Sequence, residues 1–144
     1  MTHTHPYKVL NQLLILHDRS LAVYLSDAVP WMRDENCKAA NVLRNIASDH
    51  RRLVKRIGQI LLADHHTVDL GGFPIEFADL HDLSIDFLLE KLIVHQQFIL
   101  RSIRGYAERL KDWPPGRALA EEALGNAQGH LEALKELTQE PSEI

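Results

Sequence analysis

The chain has 144 residues, 45% of them hydrophobic and 25% charged, with a formal net charge of −4. That is enough apolar material for one domain with a substantial core, and the acidic balance excludes a general basic field for nucleic acid. A single cysteine, Cys37, excludes an internal disulfide, and no apolar run is long enough to span a bilayer.

The opening Met-Thr-His-Thr-His-Pro segment has no secretory pattern, which with the lone cysteine sets the expectation of a cytoplasmic protein. Pro6 suits a first helical turn, where its missing N–H costs nothing. Leu10, Leu13, Leu14, His17, Leu21, Tyr24 and Leu25 then recur at helical spacing and predict a first helix over about 7–29, ended by Pro30. Asp34 is a suitable cap for a second helix over about 35–63, whose stripe holds Val42, Ile46, His50, Leu53, Val54, Ile57, Ile60 and Leu61. Its basic run, Arg51, Arg52, Lys55 and Arg56, reads as a solvated face paired with acids.

Residues 64 to about 80 read as a loop, with Gly71-Gly72 and Pro74. At ~3.3 Å per residue it can run the length of a bundle, which is unusual between adjacent helix ends. A third helix over about 82–113 follows. Its expected stripe is Ile85, Leu88, Leu92, His95, Phe98, Ile99, Ser102 and Tyr106. Pro114 and Pro115 stop it and open a fourth over about 115–138, with Ala120, Ala123, Leu124, Ala127, Leu131 and Leu134 as its stripe and His130 at the edge. The expected architecture is all-α, one domain over 1–144, built as two antiparallel helical hairpins joined by a long crossover connection.

His17, His50, His95 and His130 each fall near the middle of a different helix. The midpoint of the first pair lies between Arg33 and Asp34, and that of the second between Asp112 and Trp113. Hairpins folded at those breaks put each pair at one height, ~25 Å from the turn at ~1.5 Å per residue. A polar layer across a bundle needs a reason. One is a buried metal site of four neutral imidazoles, suited to a single Zn, Fe, Cu or Ni ion. Asp18, Asp49 and Glu90 then fit as acceptors that orient the imidazoles. The other is a hydrogen-bonded layer that holds no metal.

The two hairpins, the long connection, the Leu-Leu-Ile-Leu-His-Asp-Arg-Ser-Leu-Ala-Val-Tyr-Leu segment and the Leu-Gly-Gly-Phe-Pro element resemble the ferritin-like superfamily over about residues 7–138. The resemblance implies a ferritin-like four-helix bundle with a dimetal carboxylate centre, fed by a Glu from helices one and three and Glu-x-x-His from helices two and four. Here His50 and His130 match the motif histidines, but Ala47 and Ala127 stand where its glutamates would be. His17 and His95 occupy the positions of the other two glutamates. Without bridging carboxylates two ions repel one another, so the implied site is a single-metal or vestigial one made of His17, His50, His95 and His130. A haemerythrin-like pattern is a weaker match, since Val54, Lys91 or Ile99, and Lys135 stand where it needs ligands.

The rival reading is a non-enzymatic helical module acting through oligomerisation or a protein partner. A redox enzyme using bound metal and dioxygen is a third class, and it lacks the usual carboxylates. Trp31, Phe73 and Phe77, in breaks and loops, are expected to be exposed and to support a homodimer. No nucleic-acid or membrane partner is expected, and the sequence identifies no substrate.

Overall fold

The computed structural model describes residues 5–28, 37–79 and 85–139. It is helical, with no strand among the described residues: α1 (Pro6–Asp18), α2 (Leu21–Ala28), α3 (Lys38–Ala63), a 3-10 turn (Ile75–Asp79), α4 (Ile85–Arg109) and α5 (Pro114–Gln139). None of these helices is long and apolar enough to cross a membrane.

The expected first helix is two helices. His5 caps α1 by accepting the Tyr7 N–H on Nδ1, and Pro6 takes the first helical position as expected. The break falls at Arg19 and Ser20, where the Ser20 hydroxyl accepts the Val23 N–H at 3.3 Å and so caps α2. The hydroxyl competes for a backbone donor that a continuous helix would use internally. Asp34, the expected cap of the second helix, lies outside the described residues. The residue that precedes α3 is Cys37, which makes no side-chain capping bond.

The long arms pack as a bundle. Tyr7 donates its hydroxyl to Asp64 at 2.9 Å at one end, and Arg51 donates to Ser26 at 2.7 Å toward the other, so α1–α2 runs against α3. Gln96 donates to the Ala127 carbonyl at 3.2 Å midway along the α4–α5 hairpin. Trp113, in the turn of that hairpin, packs 4.9 Å from the Tyr7 ring. Further contacts run between α3 and α5 and between α1 and α4, whereas α3 and α4 make at most marginal contact.

The end of α3 is closed by paired bonds, His66 N–H to Leu61 at 2.8 Å and His65 N–H to Leu62 at 3.1 Å. They place His65 at φ 60°, the left-handed position that usually holds glycine. From there the connection climbs along α1 and α2. Asn11 holds the Asp69 backbone with two bonds, Nδ2 to its carbonyl at 3.1 Å and Oδ1 from its N–H at 3.0 Å. Gly71 lies so close to Ile15 that a Cβ there would stand 2.9 Å from the Ile15 Cγ2. Phe73 sits under the Arg19 guanidinium at 4.9 Å and against Tyr24 at 5.1 Å. Phe77 is buried between Tyr24 and His95.

Two aromatic expectations therefore change. Phe77 is in the core and Phe73 is half-buried, because the connection turns both rings inward onto Tyr24. Trp31 lies outside the described residues.

The core has two apolar clusters. One gathers Leu10, Leu13 and Leu14 with Leu53, Ile57, Ile99, Ile103 and Leu119. The other gathers Leu21, Leu25, Leu43, Ile46, Leu88, Leu92 and Leu134. Among the described residues four buried polar ones, His17, Ser20, His50 and Gln96, lie at the sequence positions between them.

Candidate functional site

The polar layer is assembled from all the main arms. α1 brings His17 because Leu10, Leu13, Leu14 and His17 share one face. α3 brings His50 on the face of Leu43, Ile46, Leu53 and Ile57. α5 brings His130 beside Ala127 and Leu134, at the edge of the core.

Three of the four expected histidines come together. The His17 and His50 rings are 4.8 Å apart and edge-on at 89°, and His50 and His130 are 6.1 Å apart at 74°. His95 stands apart. Its Nε2 accepts the Leu21 N–H at 3.3 Å, and its ring packs on Phe77 and Phe98 at 5.7 and 6.0 Å. That imidazole supplies an acceptor to the start of α2, one of the donors every helix leaves unmatched.

The buried face of α4 runs through Leu88, Leu92, Gln96, Ile99 and Ile103. Gln96 thus takes the place in the layer expected for His95, and Phe98, expected on the stripe, is half exposed. The two alternatives differ by one residue, ~100° around a helix, and both alternate three- and four-residue steps. Leu89 and Leu100, which widen the stripe toward Gln96 and away from His95, are the signal that favours Gln96. Ser20 was also missed as a layer member. Its clue is its place three residues after His17, on the same helical face.

The hydrogen bonds fix part of the proton arrangement. The Leu13 carbonyl can only accept, so His17 donates from Nδ1 at 2.8 Å and its Nε2 carries the lone pair. His50 Nδ1 meets the Ser20 hydroxyl at 2.8 Å. Neither Nε2 has a protein hydrogen bond among the described residues. His130 Nε2 lies 3.0 Å from the Asp49 carboxylate, yet the contact is too far out of line to make a directed hydrogen bond. Asp49 also faces Arg52 at 3.5 Å.

Burial depresses all four imidazoles. The pKa of His17 falls from 6.5 to about 4, with the bond to Leu13 opposing. His50 is lowered well below 6.5, by burial and then by His17, His130 and, last, His95. His95 is lowered to about 4 by burial alone. His130 is also lowered, with the Asp49 carboxylate pulling the other way. The layer is therefore neutral imidazole at pH 7 beside one carboxylate.

A partly open crevice too narrow for a water-sized sphere lies between His17, Asp49, His50, Asn126, Ala127 and His130. Outside it, a surface groove of about 360 Å³ is lined by Val42, Asn45, Ser48, Asp49, Arg52, His130 and Ala133. Asp49 and His130 belong to both, so they form the partition between solvent and the buried pair. A larger groove of about 520 Å³, around His5, Lys8, Asn11, His66 and Asp69, lies at the far end of the bundle. Its volume is mostly open surface, and it holds none of the buried titratable groups, so the layer is the better candidate for chemistry.

The other expected participants go elsewhere. Asp18 pairs with its neighbour Arg19 at 3.2 Å, and Glu90 is exposed, which leaves Asp49 as the acid at the layer. Tyr24 packs on Phe73 and Phe77. The basic run on α3 is an outer face, with Arg52 against Asp49 and Arg56 against Glu122. Among the described residues, no group of three or more His, Cys, Asp or Glu side chains is placed so that it could hold a metal ion as arranged. Comparison of the chain with protein-family models, with curated proteins and with solved structures gives no match.

Proposed function

We propose that the protein is a ferritin-like helical bundle that holds one transition-metal ion through His17, His50, His130 and Asp49. The observation that carries this reading is the convergence of three neutral imidazoles, from three helices, beside a single carboxylate. Two imidazoles on one ion at ~2.0–2.1 Å and a tetrahedral angle have ring centres ~5 Å apart, close to the His17–His50 spacing. The Nδ1 bonds to Leu13 and Ser20 are the outer contacts that orient coordinating imidazoles and leave Nε2 to face a ligand. His130 and Asp49 complete the set by turning away from their mutual contact, whose poor alignment gives up little. His95, held by Leu21, is not part of it.

The donor set suits one ion and not two, because one carboxylate cannot offset the repulsion of a metal pair. When bound, such an ion supplies Lewis acidity at the inner end of the Asp49–His130 groove. The chain's own residues exclude water behind it and keep the imidazoles unprotonated. The ferritin-like part of the proposal draws support from the connection that follows α1 and α2, and from α3 and α4 standing apart.

Metal content after purification without an affinity tag is the test, followed by Zn(II) titration of the stripped protein. A stoichiometry near one ion per chain, lost in His50→Ala and unchanged in His95→Ala, supports the site. An unaltered melting temperature with Zn(II), Co(II), Ni(II) and Fe(II) overturns it. The second reading, a metal-free helical interaction module, is favoured by the bonds the layer already makes to Leu13, Ser20 and Ala127, and that overturning result would select it.

A further inference from the structure

Three of the six large apolar side chains that are exposed among the described residues stand on one face of α4. Val94 is 62% exposed, Phe98 49% and Phe87 41%. With Gly105 they fall within ~40° of one another around the helix. Gly105 is exposed, and a Cβ built on it meets nothing within 4 Å. Glycine inside a helix costs ~1 kcal/mol relative to alanine, so bare backbone on this face is notable when a neighbour can lie on it.

The charges along one edge of the face are ordered. Glu90 lies toward the start of the helix and Arg101 toward its end, both exposed. Neither has an ion-pair partner among the described residues. A face with its acid at one end and its base at the other complements itself when reversed. We propose that this face is the contact between two copies of the chain, packed antiparallel about a two-fold axis at the level of Gln96. That register sets Val94 beside the partner's Phe98, Phe87 over the partner's Gly105, and Glu90 beside the partner's Arg101. In an antiparallel pair, side chains on the same edge of each helix meet, which is the edge Glu90 and Arg101 share. A two-fold contact makes each of these pairings twice.

The test is mass by light scattering across a concentration series up to high micromolar, with helical content followed by circular dichroism. The wild-type chain is expected to be a dimer, and Val94→Arg a monomer of unchanged helicity. Glu90→Arg and Arg101→Glu each weaken association about tenfold by placing like charges opposite one another, and the double exchange restores it to within about threefold. All of these positions are exposed, so loss of fold does not account for the pattern. A wild-type chain that stays monomeric, or a dimer indifferent to Val94→Arg and to the charge exchange, overturns the proposal. The first result leaves the face to a different protein, and the second puts the dimer contact elsewhere.

Discussion

Ser20 does two jobs with one oxygen. It caps α2 through the Val23 N–H and meets His50 inside the layer. Removing it leaves a helix start unsatisfied and a buried imidazole nitrogen without its partner. A lost cap costs ~1 kcal/mol and an orphaned buried polar group ~1–3 kcal/mol. Ser20→Ala is therefore expected to lower stability by about 2–4 kcal/mol in urea unfolding, beyond a cap loss alone. His65 offers the reverse case. It sits at φ 60°, where a Cβ is strained by roughly 1–2 kcal/mol and glycine is not. Glycine also loses more freedom on folding, so His65→Gly should gain a net ~0.5–1 kcal/mol, seen as a higher urea midpoint with unchanged slope.

At the level of elements, the helices were readable in the chain because apolar residues recur with a 3.6-residue period and prolines mark the starts of α1 and α5. The α1–α2 break was not, since the apolar pattern continues across Arg19 and Ser20 and only the hydroxyl's choice of partner interrupts it. The layer was legible in outline. His17, His50 and His130 come together, while α4 presents Gln96 in place of His95, a choice that turns on one step of helical phase. The α4–α5 turn holds a further constraint. A Cβ on Gly116 would stand 2.6 Å from the Trp113 ring and 3.0 Å from Leu110, which is buried. Alanine is the better helix former by ~1 kcal/mol, yet overpacking of this kind costs ~1–3 kcal/mol. Gly116→Ala is expected to destabilise despite its propensity, with a fall in melting temperature as the readout.

For the molecule as a whole, the buried imidazoles make stability depend on pH. His17 and His95 titrate near pH 6.5 when unfolded and near 4 when folded. Between those values the unfolded chain binds protons that the folded chain refuses. Their contribution is therefore complete above pH 6.5 and declines as the pH falls toward 4, by up to ~3 kcal/mol for each. Urea midpoints measured at pH 7.0, ~5.5 and ~4.5 should fall in that order, and His95→Gln should flatten the decline. A midpoint that stays level over this range would show that the rings are not held neutral. The burial behind this behaviour was only partly visible in the chain. Periodicity places a residue on a face, but Phe77 shows that a connection can supply core as well. The length of residues 64–79 already allows a run along the bundle, but nothing in their local pattern says that they lie against α1 and α2.

The strap formed by that connection also shapes the order of assembly. α4 and α5 meet across a short turn, so their contacts close a small loop and can form early. The strap's contacts, Asn11 with Asp69, Ile15 with Gly71 and Tyr24 with Phe73, bridge roughly fifty to sixty residues each. They can form only once α1 and α2 have docked. Residues 6–28 and 64–79, distant in sequence, then gain and lose their amide protection together, as one cooperative unit that opens before the α4–α5 hairpin does.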